Sequence, residues 1–328
     1  MEVLAADIGG TNARLAVVKG RHIIFKEVYK CDDFPGPIEL LSKFKQDFSG
    51  TFPSLGCLAV AGRVESNRVS MLNRDWLLDG DELASFLKMD ALFLANDFQA
   101  AAMGVCLLKD KDLVKIGSGS PVPHTPIAVL GPGTGLGEAL LVPYAGGYEV
   151  LPTEGGHGDF APVDEFQVGL LKFLQKQFDH VSIERVVSGP GLLRIFEYIL
   201  WHTGKELPDF LLEYKENLSP KLISDAAISD KDDICKESLN MFCRILGQEA
   251  GNMALRSLAT GGVYLAGGIC PQIIPFLQKR GFRASFEDKG RMKSFLEEIP
   301  IYIITNPNLG LIGAGLIARK KISRHKAG

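Results

Sequence analysis

The run Asp7-Ile8-Gly9-Gly10-Thr11-Asn12 stands between two apolar stretches, Val3 to Ala6 and Ala13 to Val18, and reads as strand, tight glycine turn and strand. Gly9 and Gly10 let the backbone approach a polyphosphate and aim N–H groups at it. Thr11 adds a hydroxyl, Asn12 ends the turn, and Asp7 at its base could hold Mg²⁺ through water. A plain hairpin turn explains the glycines but not the carboxylate. A shift of 123 residues lays Gly10-Thr11 on Gly133-Thr134 and Ala16-Val17-Val18 on Ala139-Leu140-Leu141 without a gap. Leu130 then stands where Asp7 stands, so the second copy, Gly131 to Gly137 with Gly133, Thr134 and Gly135 inside it, is a backbone cradle without a metal carboxylate.

A second group of residues suits a polyhydroxylated ligand. Asn96-Asp97 follows the apolar strand Ala91 to Ala95 and precedes the helical run Phe98 to Leu108, at the strand end where α/β sheets bind ligands. The bland alternative makes Asp97 the N-cap of that helix. Glu154-Gly155-Gly156-His157 lies in a loop where glycines bring a carboxylate and an imidazole together, and Glu184 precedes the turn Ser188-Gly189-Pro190-Gly191. Each carboxylate of this set can accept hydrogen bonds from vicinal hydroxyls. A sugar beside a phosphate cradle means a sugar kinase. The segment Gly261 to Gly268 is a strand bracketed by glycine pairs, and Gly267 and Gly268 at its end would admit a flat adenine ring.

The elements that must position these residues alternate as in an α/β protein. Strands are expected at Val3 to Ala6, Ala13 to Val18, His22 to Val28, Leu55 to Ala61 and Ala91 to Ala95, with helices near Pro37 to Phe48 and Asp81 to Leu87. A polar Gly/Ser/Pro stretch, Gly117 to Pro126, precedes the second hairpin, and the border between two domains is expected near Leu108 to Ser120. Helices follow at Asp164 to Gln177, Pro190 to His202 and Asp232 to about Leu258, then strands at Val263 to Ala266 and Ile301 to Ile304. The last helix, Leu311 to Lys321, carries Gly310, Gly313 and Gly315 at its start, which predicts close packing on a neighbouring backbone and a return to the first domain. The expected domains are 1–108 plus 302–328 and 109–301.

A chain of 328 residues that is 46% hydrophobic can bury a large core. Its net charge of -3 argues against nucleic acid or an anionic membrane as partner. The one basic cluster, Arg319 to Lys326, reads as a solvated helix end. No stretch approaches the ~18 to 20 apolar residues of a membrane span, so a cytoplasmic protein is expected. The six cysteines are scattered without metal-ligand spacing and are expected to be buried free thiols.

These motifs, in this order and spacing, resemble the bacterial glucokinase family within the actin, sugar kinase and heat-shock ATPase superfold. The likeness spans nearly the whole chain: Asp7 to Asn12, Asn96-Asp97-Phe98, Gly133 to Gly137, Glu154 to His157, Ser188 to Gly191, Ala266 to Ile269 and Phe286 to Gly290. It implies a two-domain actin-like fold of ribonuclease-H-like cores with an interdomain cleft that closes on the sugar. It also implies that Asp97 is the catalytic base, that Asn96, Glu154, His157 and Glu184 contact glucose, and that the glycine segments serve ATP and Mg²⁺. The related repressor and sugar kinase family carries zinc-binding cysteines after a Gly-His pair, whereas Gly158-Asp159-Phe160 follows His157 here, so zinc is not expected. Glucose and ATP are the expected partners and a homodimer the expected assembly. A nicotinamide dehydrogenase would need Gly-x-Gly-x-x-Gly, but Leu136 takes the sixth position from Gly131. A sugar-sensing repressor would need a helix-turn-helix, which is not expected ahead of a hairpin that begins at residue 7. An ATP-binding sugar-sensing regulator and a kinase of another hexose on the same fold are the remaining alternatives.

Overall fold

The computed structural model describes residues 1–71 and 74–325. Its elements begin with β1 (Glu2–Ile8), β2 (Asn12–Lys19), β3 (His22–Lys30), α1 (Pro37–Asp47), β4 (Leu55–Val60), β5 (Arg68–Ser70), β6 (Leu77–Asp79), α2 (Gly80–Leu87), β7 (Ala91–Asn96) and α3 (Asp97–Gly104). There follow β8 (Leu113–Ile116), β9 (Ile127–Pro132), β10 (Leu136–Tyr144), β11 (Gly147–Pro152), α4 (Glu165–Leu174), α5 (Gly189–Thr203), α6 (Pro220–Ile228) and α7 (Asp233–Ser257). The chain continues with β12 (Val263–Leu265), α8 (Ile274–Leu277), α9 (Arg280–Glu287), α10 (Lys293–Glu297), β13 (Ile301–Ile304) and α11 (Leu309–His325). Two compact units result, Met1–Asp110 with Tyr144–Pro152 and Asn306–Gly328, and Lys111–Pro143 with Thr153–Thr305.

In the first unit the strands lie in the order β3-β2-β1-β4-β7. β1 is antiparallel to β2 and parallel to β4, which is parallel to β7. Ile8 is level with Val60 and Val60 with Asn96, so the carboxyl ends of the three parallel strands finish in one row. Leu4, Ala6 and Ile8 share a core with Leu40, Leu41 and Phe44 of α1. On the opposite face a Cβ at Gly315 of α11 would meet Val3 at 3.5 Å. Covered on both faces, β1 is an almost unbroken apolar run, and its alternation carries Asp7 to the α11 side.

α11 lies on α3 with no side chain between them at one point, because a Cβ on Gly313 would stand 1.8 Å from the Ala100 carbonyl oxygen. The small residues at the start of this helix therefore do pack against neighbouring backbone. The basic stretch behind them is only partly solvated: Lys321 is exposed, but all three of its first cations have partners. Arg319 donates to the Gly20 carbonyl at 3.0 Å, Lys320 to that of Tyr148, and the Lys321 ammonium sits 5.0 Å from the Phe93 ring centre. Lys326 lies outside the described residues.

In the second unit five strands run β10-β9-β12-β13-β8. β8 falls inside the expected border region, where it pairs antiparallel with β13. β13 in turn pairs parallel with β12, which keeps 302–304 in this unit rather than with the first. Residues 144–152 count with the first unit instead, where α3 packs against β11. The 25-residue α7 starts at the cap Asp232, which accepts the Cys235 N–H at 2.8 Å, and runs through a core that includes Leu239, Phe242 and Leu246. α9 buries Phe282 and Phe286, four residues apart on one face.

The two glycine hairpins are alike but not in register. Asp7 pairs with Arg14, whereas its counterpart Leu130 pairs with Glu138 rather than Gly137. The ungapped repeat thus slips by one residue in the turn, and Glu138 takes the place that Arg14 has in the first copy. Five cysteines are buried thiols, but Cys106 is exposed in the turn after α3. Among the described residues no helix is long and apolar enough to cross a membrane.

Gly313→Ala tests the helix contact. The added methyl must push α11 off α3, at about 1 to 3 kcal/mol for an overpacked site. The expected result is a clear fall in melting temperature; an unchanged melt would show that the two helices tolerate separation.

Candidate active site

The row of strand ends in the first unit gathers the Asp7–Asn12 hairpin and the Asn96-Asp97 pair along one sheet edge. β1 and β7 flank β4, so at usual strand spacing the two motifs are about 10 Å apart. The hairpin is braced on several sides. The Gly9 N–H donates to the Asn12 carbonyl at 3.0 Å, the Cys31 N–H to Thr11 at 2.9 Å, and Arg74 Nε to the Gly10 carbonyl at 2.6 Å. Arg74 also pairs with Asp32. Asp7 lies 3.3 Å from Arg14 and against Gly310 of α11, where a Cβ would stand 3.4 Å from its carboxylate. Burial pushes the Asp7 carboxyl above its ordinary range, and the Arg14 guanidinium opposes that. Among the described residues no cluster of three or more His, Cys, Asp or Glu could hold a metal. A lone carboxylate fits Mg²⁺ that keeps its waters and arrives with phosphates, rather than an ion caged by protein.

The cap of α3 is Asn96, not Asp97. Asn96 Oδ1 accepts the N–H groups of Phe98 and Gln99 at 3.0 and 3.1 Å, and its Nδ2 donates to the Gly62 carbonyl at 3.1 Å. Asp97 is the first helical residue, its Oδ1 accepting the Phe98 N–H at 2.7 Å. The bland alternative for Asp97 therefore fails on its own terms, while Asn96 has a structural task besides any contact with a ligand.

The second unit holds the other candidates. Gly133 to Gly135 form the tip of the β9–β10 hairpin, closed by the Gly133 N–H donating to the Gly135 carbonyl at 2.8 Å. The Gly133 carbonyl accepts the Gly189 N–H at the start of α5, also at 2.8 Å, and Ser188 caps that helix. Gly267 lies beside the same hairpin: its φ is +81°, and a Cβ there would stand 2.5 Å from the Pro132 carbonyl oxygen. Around Gly133 and Gly268 nothing comes within 4 Å of a would-be Cβ, so the space over both is open to a ligand.

Glu154 and His157 sit at the two ends of one tight turn, with His157 Nε2 3.9 Å from Glu154 Oε2 and both side chains exposed. Glu184 is turned toward the glycine hairpin, where its Oε2 accepts the Leu136 N–H at 2.9 Å. His157 and Glu184 line one polar cavity of about 390 Å³ together with His180 and Arg185, and Glu154 is not part of its lining. Backbone bonds from Phe160 to Val181 (3.0 Å) and from Ile183 to Gly158 (2.8 Å) join the two segments, and His180 lies 2.9 Å from Asp159. Arg14, Arg74 and His180 are absent from the sequence reading, where Gly310 figures only as a packing residue and Asp159 only as the residue that stands in place of a zinc cysteine. The one available signal was Arg14, a charge inside an apolar strand.

Two α/β units, each with a glycine hairpin, and carboxylates at the ends of parallel strands define a sugar kinase of the actin-like ATPase fold. The chain belongs to the glucokinase family, whose profile matches residues 4–321. It is 39% identical to a glucokinase of Nostoc punctiforme, over 97% of this chain and 99% of that one. The crystal structure of a glucokinase from an Antarctic psychrotroph superposes with a TM-score of 0.87 at 32% identity, covering 97% of this chain and 99% of that one. A Balamuthia mandrillaris glucokinase crystallised with glucose gives 0.81 at 26% identity, covering 97% and 93%.

Two glycines separate a ligand requirement from a folding requirement. Gly133→Ala should leave the melting temperature unchanged but raise KM for ATP, because its methyl meets no protein atom within 4 Å. Gly267→Ala should lower the melting temperature, since it combines positive φ with a backbone clash. Equal destabilisation by both would contradict this assignment.

Proposed function

We propose that this chain transfers the γ-phosphoryl group of ATP, with Mg²⁺, to the 6-hydroxyl of D-glucose, as the first step of glycolysis in the cytoplasm. The observation that carries the proposal is the alignment of Ile8, Val60 and Asn96, which sets Asp97 and the Asp7 hairpin on one edge of one sheet. Asp97 is the base: it orients the hydroxyl and accepts its proton. Asn96, Glu154, His157 and Glu184 hold the sugar hydroxyls. Gly9, Gly10, Thr11 and Asn12 in one hairpin and Gly133, Thr134 and Gly135 in the other aim donors at the phosphates, and Gly267 and Gly268 receive the adenine. Asp7 would hold Mg²⁺ through water, and the ion would supply charge neutralisation at the phosphates. Phosphoryl transfer asks little covalent chemistry of the protein, so positioning and preorganised donors supply most of the rate. The homodimer belongs to the same proposal and is read by sedimentation. A coupled assay across several hexoses tests the sugar choice; faster turnover of another hexose would replace glucose.

Asp97→Asn keeps size and leaves the Asn96 cap untouched. Its kcat should fall by ~10² to 10⁴, the usual worth of general-base assistance, while the melt and its upward shift with glucose persist. A variant keeping more than about a tenth of the wild-type kcat would remove Asp97 from the base role. Chelation of divalent cations should abolish turnover and added Mg²⁺ restore it, with glucose-induced stabilisation surviving in chelator. Full activity in chelator would exclude the Asp7 assignment.

A further inference from the structure

Glu138 of β10 is 4% exposed, and its Oε1 has no hydrogen-bond partner. A Cβ on Gly155 would stand 2.0 Å from Glu138 Oε2, so the carboxyl group lies directly against the backbone of the Glu154–His157 turn. Thr153 adds a second tie: its hydroxyl donates to the Glu138 carbonyl at 3.0 Å and accepts the Gly155 N–H at 3.2 Å. Gly156 is seated in the same way, a Cβ there falling 2.2 Å from the Leu136 carbonyl oxygen. The turn thus rests on β10 from Leu136 to Glu138.

We infer that Glu138 is a positioning residue for the sugar: it seats the turn that carries Glu154 and His157 and so sets affinity for glucose without touching it. The inference rests on the reading that Glu154 and His157 contact the sugar. Its consequence is a pH dependence. Burial and the Glu249 carboxylate push the Glu138 carboxyl up to about 8, with Arg256 opposing. Near neutrality the seat is an uncharged acid; once ionised, it sets a buried charge against the Gly155 backbone. The charged groups facing it are Glu249 and Arg256 of α7, themselves paired at 3.1 Å, with Lys289 beside them and the exposed Glu154 and His157 on the turn.

If only the neutral seat binds sugar well, apparent KM for glucose rises about tenfold one pH unit above the Glu138 midpoint, because the competent fraction falls to about a tenth. KM for ATP should stay level over the same range. Glu138→Gln keeps the shape without the titration, so its glucose KM should stay near the neutral-pH value throughout. Glu249→Gln removes the like charge and should move the wild-type rise to lower pH, a test that does not need Glu138→Gln to fold. Melting curves give an independent reading. The folded protein keeps a proton on Glu138 that the unfolded chain releases above the ordinary carboxylate value of 4.5. Wild type should therefore lose stability relative to Glu138→Gln as pH rises from about 4.5 to about 8, and no further.

Glu138→Gln with the wild-type rise in glucose KM would overturn the inference, as would a profile unmoved by Glu249→Gln or a change confined to ATP. Glu154→Gln in the same assay separates the two ideas. If it leaves glucose KM unchanged, the sugar reading of the turn fails and the inference falls with it. If it raises glucose KM while Glu138→Gln behaves as wild type, the inference alone fails.

Discussion

Backbone carbonyl oxygens stand where side chains would otherwise be: that of Ala100 against Gly313, that of Leu136 against Gly156, that of Pro132 against Gly267. Contact of main chain with main chain is short and stiff, because no rotamer can absorb a shift. Most of what the site requires follows from these contacts. α11 fixes α3, whose first residue is Asp97, and the same helix lays Gly310 against the Asp7 carboxylate. In the second unit the end of β12 and the Glu154–His157 turn are both pressed onto the β9–β10 hairpin. Polar groups that must be held to within a fraction of an ångström are carried on elements that cannot slide.

Several polar side chains have both a structural bond and a proposed ligand, which couples the parts of the site. Glu184 accepts from Leu136, one residue past the Gly133–Gly135 tip, so a sugar drawing on that carboxylate would also act on the glycine hairpin proposed to hold phosphate. Asn96 caps α3 and braces Gly62 with the same amide. Arg14 lies within reach of Asp7, the carboxylate proposed for Mg²⁺. Groups that share partners in this way show non-additive effects when replaced together. Their single substitutions measure networks rather than contacts.

What the sequence revealed was local. The Asp7–Asn12 hairpin is legible because alternating apolar residues and a glycine turn sit within a dozen positions, and α11 because its glycines repeat along one helix. Distant pairing was not legible. β8 is four residues of mixed character that become a strand only through β13, nearly two hundred residues on. The slip that pairs Leu130 with Glu138 costs nothing in composition, so the ungapped repeat hides it. Arg319 to Lys321 read as solvated because their partners, Gly20, Tyr148 and Phe93, lie far away in sequence. Glu138, an acid in an apolar strand, has no place in the sequence reading, because Gly155 and Glu249, which give it meaning, meet it only in the fold.

The pair Asn96-Asp97 illustrates why two adjacent residues of similar shape are not redundant. A cap must turn its oxygen back onto the N–H groups two and three positions ahead. A base must present an oxygen to a substrate, and a carboxylate has two, of which Asp97 gives Oδ1 to the Phe98 N–H. Here the neutral amide takes the cap, with bonds to Phe98 and Gln99, and the carboxylate falls on the first helical residue at the end of β7. The strand fixes where that residue lies and the cap fixes how the helix leaves it. That division of labour, more than the identity of either residue, supports Asp97 as the group that meets the sugar hydroxyl.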